Sequence, residues 1–235
     1  MRYSVVIPSF NEEENIERCI KEVKKQAPYA EIVLADADST DNTQKIARSL
    51  GARIVIEKKR TIAAGRQKGL EEATGDIVCF VDSDTIPDNL WFEKIIKPFS
   101  NEKVVAVGGI TLPFDGKKID YLIMYLGFAV VSPVFFKFNI PIVTGQNMAV
   151  RRKQALEVGG FKQVIDETSG EDMYIFMMLR SKGKIVHSKS VVKGSARRMR
   201  NWGLKKFVTF NIRNFFSLID YQKPLDHSYE PIRKK

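Results

Sequence analysis

The stretch DIVCFVDSDTIP, residues 76–87, changes character halfway along. Ile77 to Val81 is an unbroken apolar run of the length expected for a buried strand. It ends in two aspartates two positions apart, Asp82 and Asp84, before Pro87 and Asp88 break the chain. Like charges that close repel unless something positive compensates them. Two readings follow. In one, Asp84 caps a solvated turn. In the other, the pair holds a divalent cation, because hard carboxylate oxygens suit Mg²⁺ or Mn²⁺ and an ion with open positions can bridge a diphosphate.

Upstream, the same transition recurs. YSVVIPSF (3–10) and EIVLAD (31–36) are apolar runs, and ARIVIE (52–57) is a third. Between them lie EEENIERCIKEVKKQ, with Ile16, Cys19, Ile20 and Val23 at helical spacing, and TDNTQKIARSLG, which stops at Gly51. TIAAGRQKGLEEATG (61–75) adds another helix. Strands alternating with helices through short links predict βαβ units and a parallel sheet. Ligands of such sheets bind beyond the C-terminal ends of the strands. Those ends carry Pro8-Ser9-Phe10-Asn11, Asp36-Ala37-Asp38 and Asp82-Ser83-Asp84, three polar clusters expected to share one crevice.

Past Pro98 the rhythm changes. VVAVGGITLPF (104–114) predicts a strand or hairpin. Tyr121 to Phe136 carries no charge, but Gly127, Ser132 and Pro133 interrupt it, and a spanning helix needs about twenty apolar residues. A buried or interfacial segment is expected. VTGQNMAVRRKQALEVGGF predicts strand, helix and Gly-Gly turn, and GEDMYIFMMLRSKG a helix with Glu171 and Asp172 in its first turn, where the dipole favours negative charge. KIVHSKSVVKG predicts a strand pair, and WGLKKFVTFNIRNFFSLI, from Trp202, an amphipathic helix with a basic face.

The chain's 235 residues suffice for one α/β domain with an appendage. The expected organisation is a domain over 1–200 in two halves, 1–100 and 101–200, then an extension over 201–235. The net charge of +10 is segregated: from Lys182 on, fourteen Lys/Arg face three Asp/Glu, leaving the first 181 residues near neutrality. That points to a local anionic partner. Cys19 and Cys79 lie apart among apolar neighbours, which reads as reduced core thiols in a cytosolic protein. Met1-Arg2-Tyr3 leads directly into the first apolar run, so no secretory leader is expected.

Six motifs in order carry a family resemblance. Ile7-Pro8-Ser9-Phe10-Asn11-Glu12-Glu13 resembles the IPxYNEE opening of the family-2 inverting glycosyltransferases of the GT-A fold. ADADSTDNT (35–43) resembles their VDDGSTDGT, and GRQKGLEEATG (65–75) followed by FVDSD (80–84) resembles ARNxGxxxAxG before FLDADD. GQNMAVRR (145–152), GGF (159–161) and Glu171-Asp172 complete the set. The resemblance implies an α/β GT-A architecture: a Rossmann-like, mostly parallel sheet with helices on both faces, here with a C-terminal amphipathic helical extension. It also implies roles. Pro8, Phe10, Glu12 and Asp36 would hold the nucleotide, and Arg66 would face its diphosphate. Asp82 and Ser83 would contact the donor, Asp82 and Asp84 would bind Mn²⁺ or Mg²⁺, and Asp172 would be the catalytic base beside Glu171. Gly145, Gln146 and Asn147 would line the acceptor side.

This chain departs from the pattern. Ala37 replaces the family's second Asp and Asp38 its Gly, which shifts base contact toward Asp38; Gln67 replaces an Asn. The third metal-ligand position of many members falls at Lys193 or Gly194, while His187 lies earlier and His227 near the tail. SARRMRNWG (195–203) offers Arg197, Arg198 and Arg200 as a clamp on a donor diphosphate or acceptor phosphate, since guanidinium binds phosphate oxygens in bidentate fashion. The expected activity is metal-dependent transfer from a UDP- or GDP-sugar to an acceptor hydroxyl or phosphate. The expected acceptor is a lipid phosphate or lipid-linked glycan at an anionic membrane surface, met from the cytoplasmic side. A nucleotidyltransferase would open on a Gly-rich basic loop instead of IPSFNEEE. A nucleic-acid-binding module would leave the aspartate clusters unexplained, so no nucleic-acid partner is expected.

Overall fold

The computed structural model describes residues 1–162, 170–203, 205, 206, 209, 210 and 212. Its first hundred residues follow the alternation in the sequence: β1 (Tyr3–Ser9), α1 (Ile16–Gln26), β2 (Glu31–Asp36), α2 (Thr43–Ser49), β3 (Arg53–Ile56), α3 (Ile62–Glu72), β4 (Ile77–Phe80), the two-residue β5 (Ile86–Pro87) and α4 (Trp91–Ile96). Then come β6 (Val104–Pro113), a long helix, β7 (Met148–Arg151), α7 (Arg152–Glu157), α8 (Glu171–Leu179), β8 (Lys184–Gly194) and α9 (Arg197–Trp202). One eight-stranded sheet runs β3-β2-β1-β4-β7-β6-β8-β5. The β1–β2, β1–β4, β2–β3 and β6–β8 pairs are parallel, and β7 and β5 pair antiparallel with their neighbours.

Both faces of the sheet are buried, which is why its strands read as continuous apolar runs. Alternate residues split between two cores. Val6, Val33, Val78 and Phe80 pack with α3, α7 and α8. Val5, Ile7, Leu34, Ile77 and Cys79 pack with α1, α2 and α4, including the expected Ile16, Cys19, Ile20 and Val23.

Two local expectations need correction. KIVHSKSVVKG is one strand, β8, not a pair. Of the strand or hairpin expected for VVAVGGITLPF, the strand forms, as β6. The two pair along their length, with a register shift between Gly108 and Ile110. Gly109 lies at that irregularity because the Asn147 side chain crosses there: a Cβ would sit 2.5 Å from its Nδ2.

The second correction is the uncharged segment. It forms one helix of 20 residues, Lys118–Lys137, whose most apolar stretch has mean hydropathy 1.8 and is only 17% buried. Within it, α5 (Lys118–Tyr125) passes through a π-helical turn (Leu126–Val131) into α6 (Ser132–Lys137). Gly127, Ser132 and Pro133 do not end it. In the π register, Ser132 N–H donates to the Gly127 carbonyl, which assigns the Phe128 carbonyl to residue 133, a proline without an N–H. The His187 ring on β8 lies near that carbonyl, which favours the charged imidazole, but burial outweighs this and lowers its pKa.

The amphipathic helix expected from Trp202 falls largely outside the described residues. A short helix precedes it and ends at Gly203, at φ 74°. Beyond it, Phe210 is buried edge-on against Trp202 at 5.0 Å.

Helix α3 lies so close to β1 that a Cβ at Gly69 would meet Val6 Cγ1 at 2.2 Å. Gly69→Ala should destabilise the fold by about 1–3 kcal/mol through overpacking. Urea denaturation measures this, and an unchanged midpoint would show that α3 can shift.

Candidate active site

From β1 the chain builds β2 and β3 on one side, then returns to place β4 on the other. A crevice opens at such a switch point. The β1–β4 pairing ends at Val6–Phe80; the two strands then part, β1 staying paired with β2 as far as Ser9 and β4 entering its polar loop.

The loop after β1 is stitched to the loop after β2. Asn11 N–H donates to Ser39 Oγ at 2.9 Å, and Glu12 N–H to Thr43 Oγ1 at 2.8 Å. Asp36 is fully buried and accepts from Ser9 Oγ (2.7 Å), Ser39 Oγ (2.6 Å), Ser39 N–H (2.8 Å) and Gln44 Nε2 (2.7 Å). Expected at the nucleotide, Asp36 instead has its acceptor positions filled by the chain and shapes the loop. Glu12 is likewise buried and accepts from Asn15 Nδ2 at 2.8 Å. Asp38 is exposed at φ 61°, and Phe10 is half-buried under the Arg60 guanidinium at 4.9 Å. Pro8, half-buried, packs toward Gly65 at the start of α3.

Arg66 is only 2% exposed, so it does not stand in the open crevice facing a diphosphate as expected. Its Nη2 donates to Asp82 Oδ1 at 2.8 Å and its Nη1 to Glu171 Oε1. Burial works against its charge, but Asp82, Glu171 and Asp172 overcome that and raise its pKa. Its Nε is buried without a partner among the described residues. Gly145 lies against the guanidinium, where a Cβ would come within 2.2 Å of Cζ. That packing requirement was invisible in the sequence.

Gly145 N–H also donates to Asp172 Oδ2 at 2.8 Å, while Met173 N–H donates to Oδ1 at 2.8 Å. Gly170, at φ 86°, turns the chain into α8, so Glu171 and Asp172 open that helix. Burial, and then the charge of Glu171, push the Asp172 carboxyl up to about 7, against the pull of Arg66 and the two N–H donors. A carboxylate poised there suits a general base.

Asp82 and Asp84 are half-buried at the crevice edge, while Ser83 between them is 1% exposed and closed to a ligand. Arg197 Nη2 lies 3.2 Å from Asp84 Oδ2, so one of the three expected arginines reaches the aspartate pair. Arg200 is turned away to Asp115 at 2.7 Å, an anchor that the sequence reading missed. The Arg198 side chain lies outside the described residues, as does His227. Gln146 Oε1 accepts from Thr85 Oγ1 at 2.7 Å, beside the aspartates. Asn147, expected at the acceptor, is fully buried: it donates to the Ile110 and Ser190 carbonyls and accepts from Trp91 Nε1 at 3.0 Å. It is a strut beneath the site.

Among the described residues no group of three or more His, Cys, Asp or Glu side chains stands ready to hold a metal. The chain thus offers two carboxylates, Asp82 and Asp84, leaving further positions to a bound phosphate and water, a pattern that suits Mg²⁺ or Mn²⁺. Four carboxyl groups, Asp82, Asp84, Glu171 and Asp172, share this site with two guanidinium groups, Arg66 and Arg197, an acidic excess that a divalent ion would offset.

A Rossmann-like sheet with an antiparallel return and paired aspartates at its switch point defines the class of GT-A nucleotide-sugar transferases. The family model "Glycosyl transferase family 2" matches residues 4–159. The chain belongs to that family. It is 36% identical over 115 residues to the glycosyltransferase AglE of Haloferax volcanii, which covers 45% of this chain and 38% of that one. It is 30% identical over 115 residues to the dolichol-phosphate mannosyltransferase of Pyrococcus furiosus, 46% of this chain and 33% of that one. The chain thus spans well under half the length of these relatives. Among solved structures, it resembles a Pyrobaculum calidifontis mannosyltransferase in complex with GDP-Man and Mn²⁺, with TM-score 0.73, 19% identity and coverage of 95% and 65% of the two chains. It also resembles the glucosyl-3-phosphoglycerate synthase of Mycobacterium tuberculosis, with TM-score 0.64, 22% identity and coverage of 92% and 79%.

The raised pKa of Asp172 has a consequence for stability. The unfolded chain ionises this group near the ordinary 3.8, while the folded chain holds its proton to about 7. Folding therefore loses stability as pH climbs between those values and levels off above them. Asp172→Asn removes the loss, so its melting temperature should gain on the wild type from pH 4 to 7 and then hold constant. A pH-independent difference between the two melting curves would contradict the burial of that charge.

Proposed function

We propose that the protein is a metal-dependent inverting glycosyltransferase. It moves a sugar from a UDP- or GDP-sugar to an acceptor hydroxyl or phosphate, with a lipid-linked acceptor at an anionic membrane surface on the cytoplasmic side. The observation that carries this reading is the Asp172 carboxylate, pushed up to about 7 and aligned by two backbone N–H donors beside the Arg66–Asp82 pair.

With a hydroxyl acceptor, Asp172 takes the acceptor proton as that oxygen attacks the anomeric carbon from the face opposite the nucleoside diphosphate. The new carbon–oxygen bond forms, the bond to the phosphate oxygen breaks, and the diphosphate leaves with the electron pair. Arg66 holds Asp82 and Glu171 in place around this centre, and Arg197 lies within reach of phosphate oxygens. Mn²⁺ or Mg²⁺, held by Asp82 and Asp84, would neutralise charge building on the leaving diphosphate. Asp38, Phe10 and the loop shaped by Asp36 and Glu12 form the nucleotide side, and Gly145 and Gln146 the acceptor side.

Family membership supports the reaction class, and the Mn²⁺ and GDP-Man of the Pyrobaculum neighbour support the donor and metal. The lipid acceptor draws on the dolichol-phosphate mannosyltransferase of Pyrococcus furiosus. It also draws on an Escherichia coli glucosyltransferase acting on α-D-GlcNAc-diphosphoundecaprenol, 37% identical over 89 residues.

A thermal-shift screen of UDP-glucose and GDP-mannose with Mn²⁺ or Mg²⁺ should show metal-dependent stabilisation by one of them, lost in Asp84→Ala. No such stabilisation by any nucleotide sugar would sink the proposal. Asp172→Asn should keep that binding and lower transfer about 10²- to 10⁴-fold, the range for a lost general base. In the wild type, transfer should fall on the acid side with a midpoint near 7. A midpoint near 4 would place the base elsewhere.

A further inference from the structure

The helix Lys118–Lys137 has a continuous apolar outer face that no part of the described chain covers. Ile119, Tyr121, Leu122, Tyr125, Leu126, Val130, Val131 and Val134 are each 41–49% exposed, and Phe138, just beyond, is 73% exposed. Scattered exposed hydrophobics need no explanation, but a contiguous face of this length does.

The π turn keeps that face in line. At about 100° per residue, Asp120 and Ser132 would point about 120° apart on a regular α-helix. The extra residue of the π turn sets the second half back by about 100°, so they come within about 20° of one another. Asp120, Ser132 and Phe136 accordingly form one buried inner stripe. The outward residues before and after the turn then share the opposite side.

The inner stripe is fastened in its second half, where Ser132 Oγ donates to the Ile142 carbonyl at 2.6 Å, while Asp120 Oδ2 caps the helix's own N-terminus through Lys117 N–H at 2.8 Å. Phe136 packs edge-on to Phe176 at 6.1 Å and His187 at 5.5 Å. The helix is long enough to cross a bilayer, at about 30 Å, yet it lies against the domain with one flank bonded to it. Crossing would strip polar contacts from that flank or drag the sheet into hydrocarbon.

Charge identifies the occupant. Exposed Lys117 and Lys118 stand at one end and exposed Lys137 at the other. No Asp or Glu lies between residues 121 and 136, and the single acid of the helix, Asp120, faces inward. Tyr121 and Tyr125 stack on the outer side at 6.2 Å, amphipathic rings of the kind that favour a membrane boundary. An apolar band with basic ends and aromatic neighbours matches an anionic lipid surface.

We propose that Lys118–Lys137 is an in-plane membrane anchor: it lies in the headgroup–acyl boundary of an anionic membrane and does not cross it. This deepens the lipid-acceptor reading above, on which its biological use rests. The chain leaves the helix at Lys137 and reaches Gly145, the partner of Asp172, through one short loop. At the other end Asp115 holds α9 through Ser195 Oγ (3.0 Å) and Ala196 N–H (2.6 Å). Both ends of the anchor thus border the crevice, where a membrane-held acceptor would arrive.

The test needs no catalysis. The full chain without substrate or metal should float with vesicles of equal parts phosphatidylglycerol and phosphatidylcholine. Leu122→Glu with Leu126→Glu, both at exposed positions, should weaken this about tenfold or more with melting temperature unchanged. Because Cys19 and Cys79 are buried and burial raises their thiol pKa values, a new cysteine at Leu122, Leu126, Val130 or Val134 can be labelled alone. Quenching by spin-labelled lipids should place all four labels at one shallow depth, about 5–10 Å below the headgroups. Depths grading from one leaflet to the other would overturn the in-plane arrangement. So would no vesicle binding, or a dimer that Leu126→Glu breaks, since the face would then meet a second copy. Failure of the glycosyltransferase reading would instead appear as absent nucleotide-sugar binding with vesicle binding intact.

Discussion

A guanidinium buried at the centre of an α/β domain sets the geometry of the site. Alone, the Arg66 charge would lose several kcal/mol of hydration there. It persists because Asp82, from the end of β4, and Glu171, from the start of α8, both bond it. These groups lie far apart in the chain, so their shared cation fixes the two rims of the crevice to each other. Gly145 completes the arrangement by having no side chain where the guanidinium needs space.

That constraint reaches Asp172. It stands next to Glu171, whose acid charge opposes its ionisation, and under cover that removes water. Arg66 and two N–H donors pull the other way without prevailing. The outcome is a carboxylate with useful basicity near neutrality, adjoining a cluster that is short of positive charge. Arg197 meets part of that shortage at Asp84. Its carrier helix α9 is held through Asp115, at the foot of the apolar helix. The donor side and the lipid-facing side are therefore mechanically adjacent.

The apolar helix shows how one defect can be absorbed. Pro133 withdraws a donor, the π turn shifts the register, and His187 on β8 packs edge-on against Phe136 one turn further along. The same shift keeps Asp120, Ser132 and Phe136 on one stripe. A local interruption thus becomes a straight, one-sided element.

Much of this was legible in the sequence. Hydrophobic period separated strands from helices through β4, and the motif order placed the aspartates and the Glu171-Asp172 pair at element ends, because burial of alternating or helical faces is a local pattern. The roles of polar residues were less legible. Asp36 and Asn147 looked like ligand contacts, yet their hydrogen bonds are spent inside the fold. Arg66 looked like a diphosphate contact, yet it is buried between carboxylates. Gly127 and Pro133 looked like breaks, yet the helix continues. In each case a partner distant in sequence decided the outcome: Glu171 lies 105 positions from Arg66. The sequence by itself determined where chain segments bury apolar surface, since that depends on neighbours three, four or two positions away. Only the tertiary structure decided which charges compensate one another and which apolar face stays uncovered, since both depend on what folding brings alongside.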